Sequence, residues 1–119
     1  MDYKAVFTKI GSLAPDFLGE NIVIVFNDNA PKDLAEISYL HSIVNIDRDV
    51  RVGDVVALGS KDYVVTAVGE EANATFKKMG HCTFKFTGEN ETELPGQIEL
   101  GGAVLPDIQV GDLFEVYFT

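Results

Sequence analysis

The sequence predicts an all-β fold, a small closed or pseudo-closed β-barrel carrying one or two short helices. Three observations predict it. Seven or so short runs of β-type residues recur at roughly even spacing, each bounded by Gly, Pro, Asn or Asp. The run "HCTFKFT" alternates with the period of two that a half-buried strand requires. Only two stretches carry helix start and stop signals. Closing the sheet on itself is the most direct way to leave no strand edge exposed.

Taken in order, Tyr3 to Ile10 alternates Tyr3, Ala5 and Phe7 with Lys4, Val6 and Thr8, and Gly11 can end that strand. Ile22 to Phe26 is continuously apolar, the pattern of a strand with neighbours on both sides. Pro31 followed by Lys32, Asp33, Leu34, Ala35 and Glu36 reads as a short helix, with proline in the first turn and acids where the helix dipole favours them. β-type sequence resumes at Ile37 in "ISYLHSIVNI". Asp54 to Leu58 and Tyr63 to Val68 form a hairpin through the Gly59, Ser60, Lys61, Asp62 turn cluster. "EEANATFKKMG" has acids first, Lys77 and Lys78 last and Gly80 as a left-handed cap, so it reads as a helix of two to three turns. In "HCTFKFT" the Cys82, Phe84, Phe86 face is core, and His81, Thr83 and Lys85 face the other way. Strands around Gln97 to Leu100 and Asp112 to Phe118 complete the set. No linker or low-complexity segment divides the chain, and residues 1–119 are expected to form one domain.

Composition narrows the function. The longest apolar run, Ile22 to Phe26, is far shorter than the ~20 residues a membrane-spanning helix needs. The N-terminus lacks the basic start and apolar block of a signal peptide, so a cytoplasmic protein without membrane insertion is expected. A lone cysteine, Cys82, closes no intramolecular disulfide and suits a reducing compartment. The formal net charge of −10 repels nucleic acid and favours basic protein surfaces, although the same charge also serves simple solubility.

Candidate chemistry is limited to few residues. Glycine-rich phosphate loops, Cys-x-x-Cys, His-Glu-x-x-His and Gly-x-Ser-x-Gly are all missing from the sequence, so no cofactor is expected. Glu89, Glu91 and Glu93 lie in the turn-rich "GENETELPG", where acids are ordinarily solvated. His81 and Cys82 are adjacent on a strand, project from opposite faces and cannot readily share an ion, so no metal is expected. What remains is a nucleophilic histidine. A neutral imidazole can accept a phosphoryl group without metal or separate base if the ring meets a partner, its other nitrogen is held by a hydrogen bond, and donors face the phosphoryl oxygens. On the residues alone both histidines stay open. His41 shares a strand face with Ile37, Tyr39 and Ile43 and reads, on the residues alone, more readily as a satisfied core or subsurface histidine than as a nucleophile. His81 lies on a donor-rich strip with Thr83 and Lys85 that would suit a phosphoryl group, but reads more readily as a solvent-facing side chain after a helix cap.

The order of "TKIG" (8–11), "NAPKDLAEISYLH" (29–41), "VTAVGE" (65–70), "FKKMGHCTFKF" (76–86) and "LPGQIEL" (94–100) resembles the glucitol/sorbitol-specific IIA component of the bacterial phosphoenolpyruvate-dependent sugar phosphotransferase system. The blocks span nearly the whole chain. The resemblance implies a cytoplasmic β-barrel that accepts a phosphoryl group on histidine from the phosphocarrier protein HPr and passes it to the IIB domain of the sugar permease. It implies His41, after the "Pro-x-Asp-Leu" stretch, as the phosphorylated residue, with Ile37, Tyr39 and Ile43 as a water-poor docking surround. His81 is expected near His41 as a supporting residue that hydrogen-bonds it or donates to the phosphoryl oxygens. Two other classes compete: a non-catalytic β-barrel adapter or regulator of sugar metabolism, and a small-ligand or metal-binding barrel. An exposed strand edge would also permit a homodimer.

Overall fold

A computed structural model describes residues 2–102 and 104–119; Met1 and Ala103, within the expected 1–119 domain, lie outside the described residues. Eight strands close into one barrel: β1 (Tyr3–Ile10), β2 (Ile22–Asn27), β3 (Tyr39–His41), β4 (Val55–Leu58), β5 (Lys61–Val68), β6 (Cys82–Lys85), β7 (Gln97–Gly101) and β8 (Leu113–Tyr117). Around the wall the order is β1, β3, β2, β6, β7, β5, β4, β8 and back to β1. Two helices accompany them, α1 (Lys32–Ala35) and α2 (Ala72–Met79), with a 3-10 helix over Ala14–Glu20.

The expected barrel with short helices is therefore present, with differences that have physical causes. The 3-10 helix was not expected, because "APDFLGE" lacks a helical apolar stripe; only Ala14 is buried, and Asn21 closes the segment in the left-handed conformation at φ 62°. β3 is three residues long and starts at Tyr39 rather than Ile37, because residues 36–38 still turn out of α1, the Ile37 N–H on the Leu34 carbonyl and the Ser38 N–H on the Ala35 carbonyl. The edge pairing considered for a homodimer has no open edge to use once β1 pairs with β8. No helix of the described residues is long and apolar enough to cross a membrane.

Strand alternation builds the core as the sequence requires. Tyr3, Ala5 and Phe7 of β1, Val23 and Val25 of β2, Val56 and Leu58 of β4, Tyr63 and Val65 of β5, Cys82 and Phe84 of β6, and Phe114 and Val116 of β8 all point inward. Phe114 is the hub. Its ring stacks on Phe7 at 5.5 Å and 11°, and takes edge contacts from Tyr3 at 5.4 Å and Phe84 at 5.8 Å. Each aromatic ring so buried contributes about 1.5–3 kcal/mol, and offset and edge geometries add to that. α2 packs its Ala72 and Phe76 on the barrel and ends at Gly80, which has φ 62° and donates its N–H to the Phe76 carbonyl.

The acidic loop between β6 and β7 is tied to the outer face of β7. Gln97 and Glu99 are buried there: the Gln97 side-chain oxygen accepts from the Glu93 and Leu94 amides, and Glu99 accepts from the Thr87 hydroxyl at 2.7 Å. Glu89, Glu91 and Glu93 themselves remain exposed, as expected for a turn-rich segment.

Candidate functional site

His41 is the last residue of β3 and sits in the barrel wall between β1 and β2, opposite Phe7 on one side and Asn27 on the other. Its side chain points inward. Its ring has 0% exposure and meets the edges or faces of Phe114 at 5.1 Å, Phe7 at 6.4 Å and Tyr3 at 6.5 Å. The docking surround expected around an open ring is thus only partly realised. Ile43 is 56% exposed beside the site, but Tyr39 is buried in the core and His41 itself is covered. The cause is the closure of the barrel, which gives the short β3 a neighbour on both sides and turns its inward face to the aromatic hub.

Both ring nitrogens of His41 face backbone carbonyls: Nδ1 lies 2.9 Å from the Ser42 oxygen and Nε2 lies 2.8 Å from the Gly80 oxygen. A carbonyl only accepts, and a neutral imidazole carries a single N–H. The neutral ring therefore satisfies one carbonyl and presents a lone pair to the other, whereas an imidazolium satisfies both. Burial pushes the pKa of His41 below the ordinary imidazole range, and the two carbonyls and the nearby Asp28 carboxylate oppose it. The Tyr3 hydroxyl, 3.4 Å from Nδ1, is a weaker neighbour of the same nitrogen.

The turn Gly80-His81 forms the cover. A Cβ built on Gly80 would stand 2.0 Å from Asn27 Oδ1 and 2.7 Å from His41 Cε1, so the absence of a side chain here lets the turn approach the ring. His81 is partly exposed and turned the other way. Its Nδ1–H donates to the Val25 carbonyl at 3.0 Å, and its ring stacks on Phe26 at 4.7 Å. The two histidines are brought to the same end of the barrel, one on each side of Gly80. However, the Gly80 carbonyl, not the His81 ring, meets His41 Nε2. Of the strip expected to share the His81 face, Lys85 is committed to an ion pair with Glu93.

Asn27 was not singled out in the sequence. It is 8% exposed, and its Oδ1 is buried without a hydrogen-bond partner among the described residues. A signal for it was present: Val23, Val25 and Asn27 fall on one face of β2, so strand alternation sends a carboxamide to the inward side. Among the described residues no group of three or more His, Cys, Asp or Glu side chains is arranged to hold a metal ion. Cys82 is fully buried, and its thiol is pushed far above its ordinary range by burial, which makes it inert as a nucleophile.

A family model described as the PTS system glucitol/sorbitol-specific IIA component matches residues 2–115. Similar curated proteins include the PTS system glucitol/sorbitol-specific EIIA components of Shigella flexneri and of Escherichia coli (strain K12). Each is 35% identical over 113 residues, covering 95% of this chain and 92% of the relative. Among solved structures, the PTS system IIA component from Enterococcus faecalis V583 superposes with a TM-score of 0.81 over 98% of this chain and 100% of that one. At 24% identity this likeness speaks to the barrel fold alone.

Proposed function

The chain belongs to the PTS glucitol/sorbitol-specific IIA component family, and from that premise we propose that residues 1–119 act as one cytoplasmic phosphocarrier domain. It takes a phosphoryl group from the phosphohistidine of HPr onto His41 and delivers it to the IIB domain of a glucitol/sorbitol permease. The observation that supports His41 is its pair of carbonyls. In the tautomer with its proton on Nδ1, donated to Ser42, the Nε2 lone pair faces the Gly80 oxygen, so this tautomer is favoured once the Gly80-His81 turn withdraws. Withdrawal bares the nitrogen that then attacks.

In the transfer step the Nε2 lone pair of His41 forms the new N–P bond, and the N–P bond of the donor breaks with its electron pair returning to the donor imidazole. The Nδ1 proton stays on its hydrogen bond to Ser42 throughout. The ring that carries the phosphoryl group is therefore a protonated phosphoimidazole, which is a good leaving group for the second transfer. Tyr3, Phe7 and Phe114 exclude water from the inner side of the ring and so limit hydrolysis. His81 sets the resting position of the covering turn through its bond to Val25 and its stack on Phe26 and does not touch the attacking nitrogen.

Intact mass measured at neutral or alkaline pH, after incubation with phosphoenolpyruvate, enzyme I and HPr, tests the proposal. One acid-labile phosphoryl adduct is expected on the wild type. His41→Ala loses it, while His81→Ala retains it. Loss confined to His81→Ala would move the covalent site, and no adduct on the folded wild type would leave the adapter alternative.

A further inference from the structure

Resting on the phosphocarrier assignment, we propose that Asn27 is a catalytic residue whose carboxamide donates a hydrogen bond to a phosphoryl oxygen carried on His41. Three observations converge on it. Asn27 stands directly opposite His41 in the parallel pairing of β2 with β3. Its side-chain oxygen and His41 Cε1 both lie within 3 Å of one point, the place a Cβ on Gly80 would occupy. That oxygen is buried and has no partner among the described residues, and the whole residue is only 8% exposed.

An orphaned buried carbonyl is costly, and valine at the same inward position, as at Val23 and Val25, would avoid the cost. A carboxamide has a second use that valine lacks. Rotation about its last side-chain bond exchanges the acceptor oxygen for an NH2 group that carries two donors. With the Gly80 carbonyl withdrawn and a phosphoryl group on Nε2, an acceptor carrying negative charge arrives beside the unsatisfied amide. The amide then turns its Nδ2 towards that acceptor. Hydrogen bonds to a charged acceptor are roughly twice as strong as neutral ones, so the orphan in the unloaded protein becomes a satisfied donor in the loaded one. The donor acts where charge sits in the transfer, and removing it slows acceptance by about 10- to 100-fold. Asn27 forms no covalent bond and exchanges no proton; its role is to hold the transferring group.

Two measurements test this together. In 15N-labelled wild-type protein, the Asn27 side-chain NH2 pair is followed by NMR before and after phosphorylation through enzyme I and HPr. The pair is assigned in 13C,15N-labelled wild type by through-bond correlation of its NH2 to the Asn27 side-chain carbons, which needs no variant. On phosphorylation, it is expected to move downfield and exchange more slowly with water. In Asn27→Val, thermal stability is expected to hold or rise, because the orphan is removed, while the rate of phosphoryl acceptance falls about 10- to 100-fold. A merely structural asparagine would lose stability and rate together. An Asn27 amide that does not respond while His41 carries the phosphoryl group overturns the proposal, even if the valine variant fails to fold. Wild-type rates in a folded Asn27→Val overturn it independently. A wild type that takes up no phosphoryl group at all, and matches His41→Ala in mass, overturns the phosphocarrier assignment and this role with it.

Discussion

Replacing Gly80 with alanine probes both the backbone and the site in one step. The residue sits at φ 62°, where an L side chain costs about 1–2 kcal/mol. The added Cβ must also find room 2.0 Å from Asn27 Oδ1 and 2.7 Å from His41 Cε1, in a buried turn. Forcing extra atoms into a packed interior adds about 1–3 kcal/mol. The combined loss, about 2–5 kcal/mol, is a large part of the ~5–15 kcal/mol by which a domain is ordinarily stable. It corresponds to a fall in Tm of roughly 8–20 °C. Urea unfolding followed by far-UV circular dichroism, with parallel thermal melts, measures it. Gly96→Ala serves as the control, since its Cβ would meet nothing within 4 Å; it should stay within about 0.5 kcal/mol of wild type. Because the nearest atom belongs to Asn27, the double variant with Asn27→Ala should recover part of the loss, with a coupling of about 0.5–3 kcal/mol. A Gly80→Ala protein within ~0.5 kcal/mol of wild type would show that the turn does not press on the ring and would remove the argument for its covering role.

Two further outcomes follow from charge. His41 has a lowered pKa in the folded state, so the unfolded chain binds its proton first. Stability should be level above pH ~6.5 and fall as pH drops through that value towards the folded pKa. Urea midpoints between pH 5.5 and 7.5 should show this slope in the wild type and a flatter one in His41→Gln, and equal slopes would contradict the burial argument. The net charge of −10 should accelerate encounter with a basic donor protein, so the rate of phosphoryl acceptance should fall as salt is added; a salt-independent rate removes the electrostatic part of recognition.

Much of the barrel was legible in the sequence because strand alternation is a local property. The hairpin of β4 and β5, the inward Cys82 and Phe84, and the capped α2 all follow from neighbours within a few residues. What was not legible depends on pairing across long separations. The sequence places His41 in β-type surroundings, but its burial is decided by strands on both sides and by Phe114, far along the chain. The docking role given to Tyr39 failed for the same reason, since its ring packs near Phe7 rather than facing a partner. Asn27 could have been found, because two valines precede it at the same parity. Glu99 could not: in the sequence it is one acid among many near an acidic turn, and only the loop folded back on β7 gives it partners.

The seam between β1 and β8 joins the first strand to the last. On a ribosome this postpones closure, because residues 113–117 must leave the exit tunnel before the barrel can shut. A nascent chain therefore presents the imidazole of residue 41 long before Phe114 arrives to seal it, and with so many contacts between distant segments the remaining search is slow. The imidazole thus gains its aromatic cover only when β8 joins the wall, and truncation inside β8 strips that cover without touching any residue that hydrogen-bonds to the ring.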